Sequence, residues 1–318
     1  MHFTRIERNT PLLSAAILLL LGAPALQAAS PAKVTKSSTP VKSASAQKSD
    51  KSTEMDMGGM DMKDCPMMRQ TKRQFYDGSA AIIANNDFIW KTTPSKVPAA
   101  NKPVTLKFSF NWKKDGKPLT NLEIVHEKPC HLIIVSKDLK EFQHIHPDIT
   151  GNGKMAVTTS FPKDGQYKMY MQFTPKGDGE YTLVQDLNVG TGKTGKAQLK
   201  EDTANKTVDG YTLKLPYRPS IAGNEASMEV EIEKDGKPVN YIDSYLGAGG
   251  HGVMISEDLT QYLHIHPRLT LDGQKYESPI SFRAKVPKPG IYRAWMQFQI
   301  KGKIVIGVWD LVIKPRPE

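Results

Sequence analysis

Imidazole, thioether and thiolate side chains are concentrated in a few short stretches of this sequence. Six of the eight histidines fall in two runs of one pattern, H-x12-H-x-H-P. The first holds His131, His144, His146 and Pro147; the second holds His251, His264, His266 and Pro267, offset by 120 residues throughout. A lone histidine at a sheet edge more often hydrogen-bonds to backbone. Three at a repeated spacing point to metal ligation, because neutral imidazole is the commonest protein metal ligand. Imidazoles alone suit Cu(II), and zinc also fits a three-histidine site.

A second concentration precedes the first. Met55, Met57, Met60, Met62, Cys65, Met67 and Met68 alternate with Asp and Gly, so six of the thirteen methionines lie within fourteen residues that have no core-building period. Thioether and thiolate are soft ligands that favour Cu(I). The competing reading is an apolar docking surface. The two cysteines, Cys65 and Cys130, either form one disulfide beside His131 or both serve as reduced copper ligands.

The elements that must position the histidines read as β-hairpins. An apolar run, Leu132 to Val135 or Val253 to Ile255, leads through Ser-x-Asp-Leu to a second run that ends at proline. Proline is tolerated at a strand end because it has no N–H for the ladder. A two-residue turn at Asp138-Leu139 pairs residues whose numbers sum to 277, setting His131 opposite His146 and Ile133 opposite His144. Residues two apart on a strand share a face, so the three rings project from one side. A one-residue slip would scatter them.

The repeat extends beyond the hairpins. Phe108 to Pro118 matches Met228 to Pro238 at the same offset, with Asp-Gly as the turn signal in both. Gly165 to Phe173 echoes Gly290 to Phe298 at an offset of 125. Alternation puts Tyr167, Met169, Met171 and Phe173 on one face, with Tyr292, Ala294, Met296 and Phe298 as counterparts. Met171 and Met296 are read either as core or as thioether partners to the histidines.

Each module is about 110 residues of short strands and turn residues, long enough to bury a core. The expected fold is all-β, two tandem immunoglobulin-like antiparallel β-sandwiches, at residues 75–190 and 208–318 with a polar linker at 191–207. Residues 1–28 read as an export signal: Arg5 and Arg8 precede a short apolar run, Leu12 to Leu21. Residues 29–74 read as a disordered Lys- and Ser-rich tether ending in the methionine segment. These features predict a periplasmic or secreted protein with no membrane span in its mature form. The net charge of +10 owes part of its excess to the tether, and no nucleic-acid partner is expected outside the cytoplasm. Gly190 to Ala197 nearly matches a phosphate loop, but Ala197 stands where Ser or Thr would hold magnesium. Neither G-x-S-x-G nor H-E-x-x-H occurs, and no enzyme is expected.

The histidine motif, His131-Leu-Ile-Ile-Val-Ser-Lys-Asp-Leu followed by His144-Ile-His146-Pro147, resembles the FixH/YtkA-like β-sandwich domains of bacterial extracytoplasmic proteins. The resemblance covers residues 85 to 318 and implies copper handling for some members. The second module departs by having Gly250 in place of Cys130. The expected function is copper sequestration or transfer, the partners being the metal ion and another extracytoplasmic copper-handling protein. The alternative is a two-module scaffold with structural histidines.

Overall fold

The computed structural model describes residues 87–267 and 276–317. The proposed leader, the tether and the segment holding Met55, Met57, Met60, Met62, Cys65, Met67 and Met68 lie outside the described residues. No helix occurs among the described residues; nineteen strands form two β-sandwich modules in tandem.

The first module begins with β1 (Phe88–Pro94), β2 (Val104–Trp112), β3 (Cys130–Ser136) and β4 (Phe142–Ile145). It continues with β5 (Asp148–Gly151), β6 (Lys154–Thr159), β7 (Gly165–Phe173) and β8 (Tyr181–Val189). One sheet has the order β1-β2-β6-β5 and the other β4-β3-β7-β8, all neighbours antiparallel. On β2 burial alternates, with Val104, Leu106, Phe108 and Phe110 turned inward. They meet Leu132, Ile134, Met169 and Phe173 from the facing sheet in one core. Each such side chain taken out of water contributes roughly 1.5–3 kcal/mol.

The second module repeats this plan with β9 (Lys206–Val208), β10 (Tyr211–Lys214), β11 (Ser220–Ile221), β12 (Glu225–Lys234), β13 (Lys237–Pro238) and β14 (Ile242–Asp243). Then come β15 (His251–Ser256), β16 (Tyr262–Ile265), β17 (Ile280–Lys285), β18 (Gly290–Ile300) and β19 (Lys303–Lys314). β15, β16, β18 and β19 take the places of β3, β4, β7 and β8, and a second core lies between the module's sheets. A short β11 pairs with β19 in parallel; the other pairings in this module are antiparallel.

Strands β3 and β15 do not alternate: every residue of both is buried. Leu132 and Ile134 face their own core, whereas Ile133 and Val135 face outward into a third apolar cluster with Val253, Ile255 and Trp295 of the other module. The outward faces of the β3/β7 and β15/β18 sheets therefore pack against each other. Two aromatic stacks close this interface, Tyr170 on Tyr262 with centroids 4.7 Å apart and Phe142 on Trp295 at 4.8 Å. They are one contact made twice, since Phe142 corresponds to Tyr262 and Tyr170 to Trp295 in the repeat. Each is worth about 0.5–1.5 kcal/mol beyond its burial. The linker joins in: Ala197 is buried in this third core and Leu199 packs against it.

The β3–β4 connection differs from the expected two-residue turn. Leu139 N donates to Ser136 O at 2.8 Å and Ser136 N to Glu141 O at 3.1 Å, so residues 137–140 form a four-residue loop. Ser136 Oγ donates to Asp138 Oδ1 and accepts from the amides of Lys140 and Glu141, while Leu139 takes φ 58°. The loop is centred where the shorter turn would have been, so the pairing is the expected one, with Ile133 opposite His144. The second hairpin pairs Val253 with His264 and sets Leu259 at φ 61°.

Candidate metal centre

Strand alternation decides which face of β3 carries His131. Cys130 and Leu132 point into the first core, so His131 points out of it, on the side of Ile133 and Val135. On β4, Phe142 and His144 share that side. The same phase in β15 and β16 turns His251 and His264 toward the first module. The two histidine triplets therefore converge across the interface instead of forming separate clusters.

Within the first copy, His131 Nδ1 lies 3.1 Å from His144 Nε2 and 3.2 Å from His146 Nε2. Within the second, His251 Nδ1 lies 3.3 Å from His264 Nε2. Two nitrogens each 2.0–2.1 Å from a tetrahedral ion are separated by about 3.3 Å, so these spacings suit shared ligation. Between copies, ring centroids of His131 and His264 are 5.2 Å apart and those of His144 and His264 5.1 Å.

A seventh ring completes the group. His126 stacks on His266 with centroids 3.7 Å apart and lies 5.3 Å from His251. It sits in a tight turn, Val125 to Lys128, where His126 and Glu127 take φ 48° and 63°. The equivalent turn of the second module has Leu246 and Gly247 there. Sequence reasoning missed His126 because it lies outside the repeated motif. Its being the one further histidine after residue 2 was the available signal.

Hydrogen bonds around the rings fix where their protons sit. His131 Nε2 donates to the Val125 carbonyl at 3.0 Å, and His251 Nε2 to the Leu246 carbonyl at 3.4 Å. His264 Nδ1 donates to Gln172 Oε1 at 2.6 Å. The Gln172 amide nitrogen is turned toward the Glu180 carboxylate, and Tyr262 OH also donates to Gln172 Oε1, at 3.3 Å. In a neutral imidazole the nitrogen opposite the donor carries a lone pair. His251 Nδ1 and His264 Nε2 thus present lone pairs to each other across 3.3 Å. Gln297, the counterpart of Gln172, brings its side-chain amide within 3.2 Å of His144 Nδ1.

Burial keeps the rings neutral. It lowers the pKa of His131 to about 3 and of His146 to about 4, with neighbouring cations adding to the effect. His144, His251, His264 and His266 are held well below the usual imidazole value for the same first cause, and His126 is lowered as well. Glu180 is pushed up to about 7 by burial, against the opposing hydrogen bond from Gln172. A partly open pocket lined by Val125, Lys128, His131, Gln172, Glu180 and His264 reaches this side of the cluster.

Met171 and Met296 are not part of the centre. Met171 lies in the first core with its sulfur against Cys130 Sγ, and Met296 lies in the second core. Each strand's pleat sends them inward and their neighbours Gln172 and Gln297 outward, so of the two readings of these methionines the core one holds, and amides instead of thioethers reach the histidines. Cys130 is a free, buried thiol on the core side of β3, and burial raises its pKa. Glu141 pairs with Lys163 at 2.6 Å and Asp148 is exposed; the carboxylate that lines the pocket is Glu180.

A family model described as a domain of unknown function (DUF8832) matches residues 85–190 and again 206–313. No curated protein matches the chain. Among solved structures, the Escherichia coli adhesin FdeC is 13% identical, with 72% of this chain and 64% of that one covered at a TM-score of 0.25. The bacterial integrin-binding protein invasin is 13% identical over 72% of this chain and 40% of its own, TM-score 0.21. A segment of two fibronectin type III domains from chicken tenascin is 11% identical over 70% and 98%, TM-score 0.22. This chain spans less than two thirds of the first two, and at these scores the likenesses carry no inference about function.

Proposed function

The chain belongs to the DUF8832 family, whose domain it carries twice, and we propose that its two copies together bind a transition metal, with copper as the ion sequestered or handed on. One observation carries this reading. His251 Nδ1 and His264 Nε2 face each other as lone pairs, because Leu246 O and Gln172 Oε1 hold the protons of their other nitrogens. Two lone pairs at 3.3 Å repel, and cationic charge bound at these nitrogens turns that repulsion into metal–ligand bonds. The carbonyl and amide partners orient the rings as outer-shell groups do in metal sites, where their loss costs about 10–100-fold in affinity.

The ligand type narrows the ion. An all-imidazole cluster binds Cu(II) above the other divalent first-row metals, and zinc also fits a three-histidine site. The methionines and cysteine at residues 55–68 supply soft donors for Cu(I), so the tether would capture the reduced ion and the modules hold the oxidised one. The basic, apolar leader supports export to the periplasm or the medium, where such an ion is met. The FixH/YtkA-like histidine motif points the same way. A non-enzymatic role fits a cluster whose rings are neutral and largely buried.

The test is titration of the chain with copper, repeated on the His144→Ala/His146→Ala variant and on deletion of residues 55–68. Binding that falls in both supports the proposal; unchanged stoichiometry in both rejects it. The second reading, a scaffold with structural histidines, is favoured by the hydrogen bonds His131 and His251 make to backbone carbonyls. It requires stability that is the same with copper and with chelator.

A further inference from the structure

The cluster contains more imidazoles than one ion can use. A tetrahedral ion takes four ligands, and seven rings are gathered here. Six of them fall into two separate groups of three whose ligand atoms lie within 4.8 Å of one another: His131, His144 and His264, and His126, His251 and His266. The seventh, His146, has Nε2 3.2 Å from His131 Nδ1 and so extends the first group. Each group draws on both modules. The first takes His264 from the second module, and the second takes His126 from the first.

The groups touch. Ring centroids of His264 and His266 are 4.6 Å apart, those of His251 and His264 5.5 Å, and those of His131 and His251 6.3 Å. The local two-fold relation that sets Gln172 on His264 and Gln297 on His144 also exchanges His131 with His251 and His146 with His266, so the two groups correspond only through His131 and His251 and are not copies of one another. His126 breaks it, filling on one side the place that Leu246 holds on the other.

We propose that the interface holds two copper ions side by side, each ligated by both modules, so that neither site exists without the partner module. This rests on the metal-binding reading above and adds number, adjacency and shared ownership to it. Burying seven imidazoles has a desolvation cost for every ring, and a single ion would leave three of them without a bond that offsets it.

The experiment is Cu(II) titration of the full chain followed by electron paramagnetic resonance at each equivalent, on the wild type and on His126→Ala. The first equivalent should give an isolated signal with nitrogen splitting. The second should broaden it and produce a half-field transition, the mark of two neighbouring spins. His126→Ala should bind one equivalent fewer and keep the isolated signal at saturation. Only isolated nitrogen-coordinated signals in the saturated wild type would overturn the paired arrangement and leave copper binding intact. A coupled signal that survives His126→Ala would overturn the assignment of that ring. No nitrogen-coordinated copper at all would remove both this inference and the function it builds on. The wild-type spectrum decides the pairing even if the variant does not fold.

Discussion

Gln172 shows how much of the cluster depends on residues that are not themselves ligands. Its oxygen takes the His264 proton at 2.6 Å while its nitrogen is turned to Glu180, so the side chain cannot rotate without losing both partners. Gln172→Leu should therefore leave the fold in place and weaken copper binding by about 10–100-fold, read by competition with a chelator. Gln172→Glu should recover part of the loss, because a carboxylate also accepts from His264 Nδ1. Proton linkage gives a second outcome for the metal-free protein. His131 and His146 titrate near 3 and 4 when folded, against about 6.5 when unfolded. Below pH 6.5 the unfolded chain takes up protons that the native state refuses, so stability present above that pH is lost as it falls toward 3. Glu180, raised to about 7, acts in the opposite sense: its contribution is full below about 4.3 and is lost as pH rises through 7. Seven lowered imidazoles against one raised carboxyl decide the direction. Denaturant midpoints measured at pH 7.5, 6 and 4.5 should decline in that order.

Among the elements, the paired hairpins explain what was legible in the sequence. A turn centred on Asp138-Leu139 set the expected pairing, and the four-residue loop preserved it because it is symmetric about the same point. What local pattern could not settle was the phase of β7 and β18. Met171 and Gln172 are adjacent, and which of them turns to the histidines depends on which face meets the module's own core, a long-range fact. The hint lay in β3, where an unbroken apolar run signals cover on both faces. β15 carries a second element-scale lesson at Gly252, which stands where the first copy has Leu132. A Cβ there would lie 2.5 Å from Ile265 Cγ1 and 2.8 Å from Met296 Sδ. Gly252→Leu should therefore destabilise by roughly 1–3 kcal/mol through overpacking. It should also lower copper affinity by shifting His251, as thermal melts and titration would show.

At the level of the whole molecule, the two modules are joined by more than a tether. Arg293 forms a forked pair with the buried Asp310, Nε to Oδ1 at 2.7 Å and Nη2 to Oδ2 at 2.8 Å, and reaches across to the Leu139 carbonyl at 3.0 Å. Tyr170 OH makes the reciprocal contact to the Leu259 carbonyl, also at 3.0 Å. Arg293→Ala leaves Asp310 without its guanidinium and should cost about 3–5 kcal/mol in a urea melt. Trp295→Ala removes one of the two interface stacks and should cost a similar amount. Copper should partly restore the midpoint of both variants, since an ion held by rings of both modules favours their docked state.

The connecting segment shares in that docking. Ala197 is buried in the same core as Tyr170 and Trp295, Leu199 packs against that core, and the Leu199 amide donates to Glu257. A protease that nicks the chain within 191–196 would therefore cut a covalent tie without parting the halves. The two fragments should travel as one particle through a sizing column and separate only when denatured.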